Sequence, residues 1–279
     1  MVQRAGVLAA LAALILTGPA GAGERPRVVS LDFCADQYVL ALADRDQIAG
    51  LATGPDDAHS ALRARAAGLR RVRDNAEDVL ALHPDLIVRS FGGGVRAQGF
   101  YARAGLAVHD LGYAGSFEDM EAVIARTAQA LGQGERGTAL IAQMRADLAA
   151  AARPGARARA LYLTPGGVTT GSGTLIHAMI EAAGLENAAA SDGAIGWTSL
   201  PLEALVLDPP ELIITGFFDQ PDIAADHWSQ TRHPVLTRLL ERTPVIHLGG
   251  AMIGCGHWTL AEAARQVREQ ADSLLEPGS

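Results

Sequence analysis

Short apolar runs alternate with stretches of helical spacing along most of this chain. Arg27-Val28-Val29-Ser30-Leu31 has the β-branched content of a strand that runs into a loop. Residues 36–43 then carry apolar positions at helical spacing, with Asp36 near the helix start, where a carboxylate meets the positive end of the helix dipole. Further strands are predicted at residues 48–51, 86–88 and 107–111. This βαβα order predicts a mostly parallel sheet with helices on both faces.

From Ser116 the period changes. Ser116-Phe117-Glu118-Asp119 has the hydroxyl cap and early acids of a helix start. Apolar residues recur at helical spacing through Met120, Val123, Ile124, Ala128 and Leu131. Gly132, Gly134 and Gly137 interrupt the pattern, which resumes at Leu140 and fades near Pro154-Gly155. A second βα series follows, with strands at 160–163, 212–214 and 245–248 and a last helix over 259–275. The two series repeat one another. Glu77-Asp78-Val79-Leu80-Ala81-Leu82-His83-Pro84-Asp85-Leu86-Ile87-Val88 is matched by Glu203-Ala204-Leu205-Val206-Leu207-Asp208-Pro209-Pro210-Glu211-Leu212-Ile213-Ile214. The expected fold is α/β: two Rossmann-like lobes over residues 23–115 and 156–279, joined by a helical linker over 116–155. A cleft between such lobes is where small-ligand sites form.

The first 25 residues stand apart. Arg4 precedes an apolar run over residues 7–16, and Ala20-Gly21-Ala22 has the small-x-small form of a signal-peptidase site. Ten apolar residues are too few to cross a hydrocarbon core of roughly 30 Å. Residues 1–22 are therefore expected to be a cleaved secretory signal, with the mature protein free in an exported compartment and not embedded in the membrane. A net charge of -8 argues against nucleic acid, whose phosphates need a basic surface. Cys34 and Cys255 are an even pair in a chain expected to leave the reducing cytosol. Three readings stay open for them: a disulfide, two buried thiols, or a pair of soft metal ligands.

Ligands of open parallel sheets bind beyond the carboxyl ends of the strands. The loops after the predicted strands hold Asp32 and Phe33, Phe91 and Arg96, Tyr113, Trp197, Phe217, and Met252 with His257. Their aromatic rings suit a flat or bulky ligand with apolar faces, and Arg96 suits a carboxylate or catecholate oxygen. The chain has no lysine, so Gly92-Gly93-Gly94 is not part of a Walker-type phosphate loop. Its eight histidines show no paired metal-ligand spacing. His257, beside Cys255 and Trp258, is the best single histidine for ligand contact. Ser172 lies in Gly171-Ser172-Gly173, which is not a nucleophile elbow, and no acid/base constellation is legible; no catalytic residue is assigned.

The order and spacing of several segments resemble the periplasmic substrate-binding proteins of ABC importers for vitamin B12, iron-siderophores and haem. These are Val28-Val29-Ser30-Leu31, residues 75–88, Ser116-Phe117-Glu118-Asp119, Thr170-Gly171-Ser172-Gly173, Gly184-Leu185-Glu186-Asn187 and residues 203–216. The resemblance makes the exported compartment the periplasm, and it implies two lobes on a stiff helical backbone and a metal-chelate cargo: a ferric siderophore, corrinoid or haem. It implies no resident cofactor and no catalysis, and a monomer is expected. It also implies that one glutamate on each lobe meets arginines of the importer's membrane subunits; the matching positions are Glu77 and Glu203. The other reading of these acids is that each favours its own helix N-terminus. Trp197 matches a ring-contacting tryptophan of the cobalamin binders. Residues 251–258 depart from the acidic-aromatic-arginine pattern seen there, which leaves iron chelates and haem open. The alternative function is a periplasmic metal-binding protein or metallochaperone for a bare metal ion or haem, using Cys34, Cys255 and His257.

Overall fold

The structure, a computed structural model, describes residues 25–54, 58–91, 93, 97–152, 158–199, 202–219 and 233–275. The secretory signal expected over residues 1–22 and the candidate Arg96 lie outside these residues.

The first half forms a four-stranded parallel sheet in the order β2 (Ile48–Gly50), β1 (Val28–Ser30), β3 (Leu86–Arg89), β4 (Ala107–Asp110). The second half repeats it as β7 (Glu186–Asn187), β5 (Arg159–Leu163), β9 (Leu212–Gly216), β10 (Val245–Leu248), again all parallel. Every residue of β1, β3 and β9 is buried. Central strands covered on both faces need such continuous apolar runs, and each large side chain so buried contributes about 1.5–3 kcal/mol. The repeated sequence builds the same junction twice. Asp85 accepts a hydrogen bond from the Arg27 amide at 2.8 Å, and Glu211 accepts one from the Arg159 amide at 2.8 Å. In return the Asp85 and Glu211 amides donate to the carbonyls of Arg27 and Arg159. In each half one acid thus ties the start of the first strand to the start of the third.

Sequence periodicity did not reveal the small antiparallel pair β6 (Val168–Thr170) and β8 (Trp197–Ser199). Helix α1 (Phe33–Leu42) starts three residues earlier than its spacing suggests, because Asp32 caps it by accepting from the Cys34 and Ala35 amides. The helical linker is two helices, α5 (Phe117–Ala130) and α6 (Gly134–Ala151), the first capped by Ser116 as expected. Gly137, read as an interruption, lies inside α6. A Cβ there would sit 2.5 Å from the Cβ of Ala128, so the glycine lets α5 and α6 approach closely. On its other side α6 packs against the last helix, α12 (Thr259–Leu275), which also covers α7 (Leu175–Ala182). The largest core cluster runs unbroken from Val28 and Val88 through Ile124 and Met144 to Tyr162 and Leu260. Both lobes therefore share one interior. Among the described residues no helix is long and apolar enough to cross a membrane.

Candidate functional site

The strand ends of both lobes face a shared groove of about 300 Å³. The first lobe contributes Ser90 and Phe91 after β3, residues 111–114 after β4, and the apolar sides of Met120 and Val123. The second contributes residues 174–176, Trp197 on β8, Phe217 after β9 and residues 253–256. Four expected contact residues, Phe91, Tyr113, Trp197 and Phe217, meet here. Phe91 is 94% exposed, Tyr113 70% and Trp197 52%, although aromatic rings usually gain stability from burial. Phe217 has φ 66°, a left-handed conformation costly for a bulky residue and most often kept at functional sites. Trp197 packs edge-on against the buried Tyr162, with ring centroids 6.1 Å apart. Apart from the phenols of Tyr38 and Tyr113, the described lining has no ionisable side chain.

The lobes meet at both ends of this groove. At the rim the Tyr113 hydroxyl donates to the Gly173 carbonyl at 2.9 Å. At the floor Cys34 and Cys255 form a disulfide with Cα atoms 5.3 Å apart, which selects one of the three readings of that pair. A few residues on in each segment, Tyr38 and Trp258 pack edge to face at 5.0 Å. The Tyr38 hydroxyl bonds to the sulfur of Met120 at 3.1 Å, and burial raises its pKa above the ordinary phenol range.

Four other expected contact residues do not line the groove. Asp32 is spent on structure: its carboxylate caps α1 and accepts from both the amide and the hydroxyl of Ser90 at 2.6 Å, so it positions the groove's edge rather than its cargo. Phe33 opens α1 instead of sitting in a loop. Met252 lies in α11 (Gly250–Ile253) and packs on the core, while its neighbour Ile253 takes the lining position. His257 is only 1% exposed, stacks on Trp258 at 4.6 Å and bonds to the Thr259 hydroxyl at 2.8 Å. A metal set of Cys34, Cys255 and His257 is not assembled, because both sulfurs are in the disulfide and the imidazole is sealed in the core. Among the described residues no group of three or more His, Cys, Asp or Glu side chains converges for a metal ion.

Burial pushes the His257 pKa down to about 4. Its folded value thus lies below the unfolded value of about 6.5, so its contribution is complete above that pH and is lost as pH falls toward 4. Between about pH 5 and about pH 7 the difference in unfolding free energy between the parent chain and a His257→Gln variant, read from urea melts, is expected to move in the parent's favour. An unchanged difference would show that the imidazole is not held neutral.

The profile of the periplasmic binding protein family matches residues 28–218. The chain belongs to the periplasmic binding protein family. Curated relatives include the cobalamin-binding proteins of two Halobacterium salinarum strains, R1 and NRC-1, each 30% identical over 200 residues. The match covers 69% of this chain and 54% of theirs, so the chain spans about half the length of the curated relatives it matches. Among solved structures, the periplasmic heme-binding protein RhuT of Roseiflexus sp. RS-1 matches with TM-score 0.69 and 22% identity, covering 88% of this chain and 97% of that one. The heme-binding protein HutB of Vibrio cholerae matches with TM-score 0.70 and 19% identity over 90% and 99% of the two chains. The vitamin B12-binding protein BtuF of Vibrio cholerae matches with TM-score 0.66 and 18% identity over 91% and 99%. These likenesses establish the two-lobed fold. Within the family fold, Glu77 lies in the first turn of α3 (Ala76–Leu80) and Glu203 in that of α9 (Leu202–Leu207), both exposed.

Several groove residues were not foreseen from sequence. Tyr38, Met120, Val123, Leu175 and Ile176 lie on helices and belong to the core cluster as well as to the groove wall. Their apolar character is the same in either role, so no sequence signal separates them.

Proposed function

We propose that this chain is the substrate-binding protein of an ABC importer, capturing an iron-chelate or corrinoid-type nutrient in the periplasm and delivering it to the membrane permease. The observation that carries this reading is the inter-lobe groove, whose described walls are aromatic and aliphatic and free of acidic or basic side chains. Such walls favour a ligand with broad apolar faces over a bare ion. The family membership, and the ligands named for its relatives, support the same class. At about 300 Å³ the groove is at the small end of small-molecule sites, so a macrocycle would be gripped on one face or edge. Phe91, Tyr113, Trp197 and Phe217 would supply the ring contacts. Export with removal of residues 1–22, action as a monomer, and a division into lobes 23–115 and 156–279 around linker 116–155 belong to this proposal.

Glu77 and Glu203 are proposed as the permease contacts. Each is exposed and makes no ion pair with a described residue, so each is available to a cationic partner. Two such charges would steer and orient the protein more than they would add affinity.

The experiment has two arms. Thermal-shift screening against cobalamin, cobinamide, haem and ferric siderophores is expected to show one ligand stabilising by about 2.7 kcal/mol at roughly 100 times its Kd. Replacing Glu77 and Glu203 together by glutamine is expected to abolish uptake in cells while leaving that affinity unchanged. Loss of affinity in the double variant would remove the docking assignment, and no shift with any chelate would remove the cargo class.

A further inference from the structure

We infer that the Cys34–Cys255 disulfide is a covalent clamp between the lobes that fixes the floor of the groove before cargo arrives. Cys34 is in the first turn of α1, in the first lobe, and Cys255 follows α11 in the second, 221 residues away. Both residues line the groove, so the bond crosses directly beneath the space a ligand would fill. The adjoining Tyr38–Trp258 ring pair adds a second cross-lobe contact on the same side. Behind it, the largest core cluster continues through both lobes and α6. Parting the lobes at this side would require breaking a covalent bond and exposing that interior.

The rim is built differently. Among the described residues the rim is joined by a hydrogen bond from the Tyr113 hydroxyl, on a side chain that is 70% exposed, to the Gly173 carbonyl, which the Gly115 backbone also approaches closely. A neutral hydrogen bond of this kind contributes only about 1 kcal/mol and is exchangeable with water. Phe91, at 94% exposure, is equally free to turn. The groove thus joins a fixed floor to a rim whose side chains reorient on a fast timescale. Holding the floor in place before cargo arrives reduces the ordering cost of binding.

The test places spin labels at positions 77 and 203, one on each lobe, through genetically encoded side chains that need no cysteine. Inter-label distances are compared for the oxidised protein, for the same protein reduced by a phosphine under native conditions, and for Cys34→Ala/Cys255→Ala. One narrow distance peak is expected in the oxidised protein, and a distribution about twofold broader in the other two. The reduced wild-type sample keeps the test decisive if the double variant folds poorly. An unchanged peak after reduction, with both thiols confirmed by mass spectrometry, would overturn the clamp. A second arm rests on the proposed cargo class: affinity for haem or cobinamide is expected to weaken about tenfold on reduction. If cobalamin, cobinamide, haem and the ferric siderophores all fail to bind the oxidised protein, the cargo class fails while the distance measurement still decides the clamp.

Discussion

Replacing Cys34 and Cys255 together by alanine is expected to lower the free energy of unfolding by about 5 kcal/mol. The disulfide closes a loop of 221 residues, and the chain-entropy treatment gives a value of that order for so long a loop. Domains are typically stable by only about 5–15 kcal/mol, so this one bond accounts for a large share. Alanine is the right replacement, because the sulfurs face Tyr38 and other apolar groove residues and a hydroxyl would add an unpaired polar group. Equilibrium urea unfolding of the oxidised protein and the double variant measures the difference. A loss below about 1 kcal/mol would mean that the unfolded chain gains little freedom when the bond is absent.

The second large effect comes from Asp36, a fully buried carboxyl on α1. Burial raises its pKa to about 7, against the pull of hydrogen bonds from Ser30 and from the Ala52 amide, the latter at 3.0 Å. The nearby Asp32 charge pushes the same way as burial, and Arg71 opposes it. The folded value is above the unfolded value of about 4, so the folded state holds the proton more tightly. The resulting stability is complete below about pH 4 and is lost as pH rises through about 7, a change of about 4 kcal/mol. Asp36→Asn keeps an acceptor for the Ala52 amide and removes the ionisation. Relative to the parent, its stability is expected to rise from about pH 5 to about pH 8, so the variant is the more stable at the upper end. His257 acts with the opposite sign between about 6.5 and 4, so the slopes of the two groups oppose each other in mildly acidic solution. A stability difference between Asp36→Asn and the parent that stays constant between about pH 5 and about pH 8 would show that Asp36 is not held protonated.

The fold was legible because its strands are buried on both faces. Val28-Val29, Leu86-Ile87-Val88 and Leu212-Ile213-Ile214 are continuous apolar runs that helical faces do not mimic, and their flanking Pro-Asp and Pro-Glu junctions repeat in sequence as they do in space. The β6–β8 pair was missed because Thr169, Thr170, Thr198 and Ser199 carry no such apolar signal. In the site, Phe91, Tyr113 and Phe217 were legible as aromatics after strands and line the groove, whereas Trp197 lines it from the first position of β8. Asp32 and His257 occupy the same kind of position in sequence but turn inward, one to cap a helix and tie Ser90, the other to stack in the core. Direction at a strand's end depends on which backbone amides need a partner, and that is settled only when the loops are packed.

Both main sheets are parallel throughout, so the helices that lead into β3 and β9 run against the strands and begin at the strands' carboxyl edge. In the proposed docking reading, Glu77 and Glu203, in the first turns of those helices, would then face the same way as the strand ends that line the groove. A partner broad enough to touch both acids would lie across the groove like a lid, leaving a bound molecule one exit, into the partner. If the two acids are permease contacts as proposed, strand direction would favour handover without leakage back to bulk solvent.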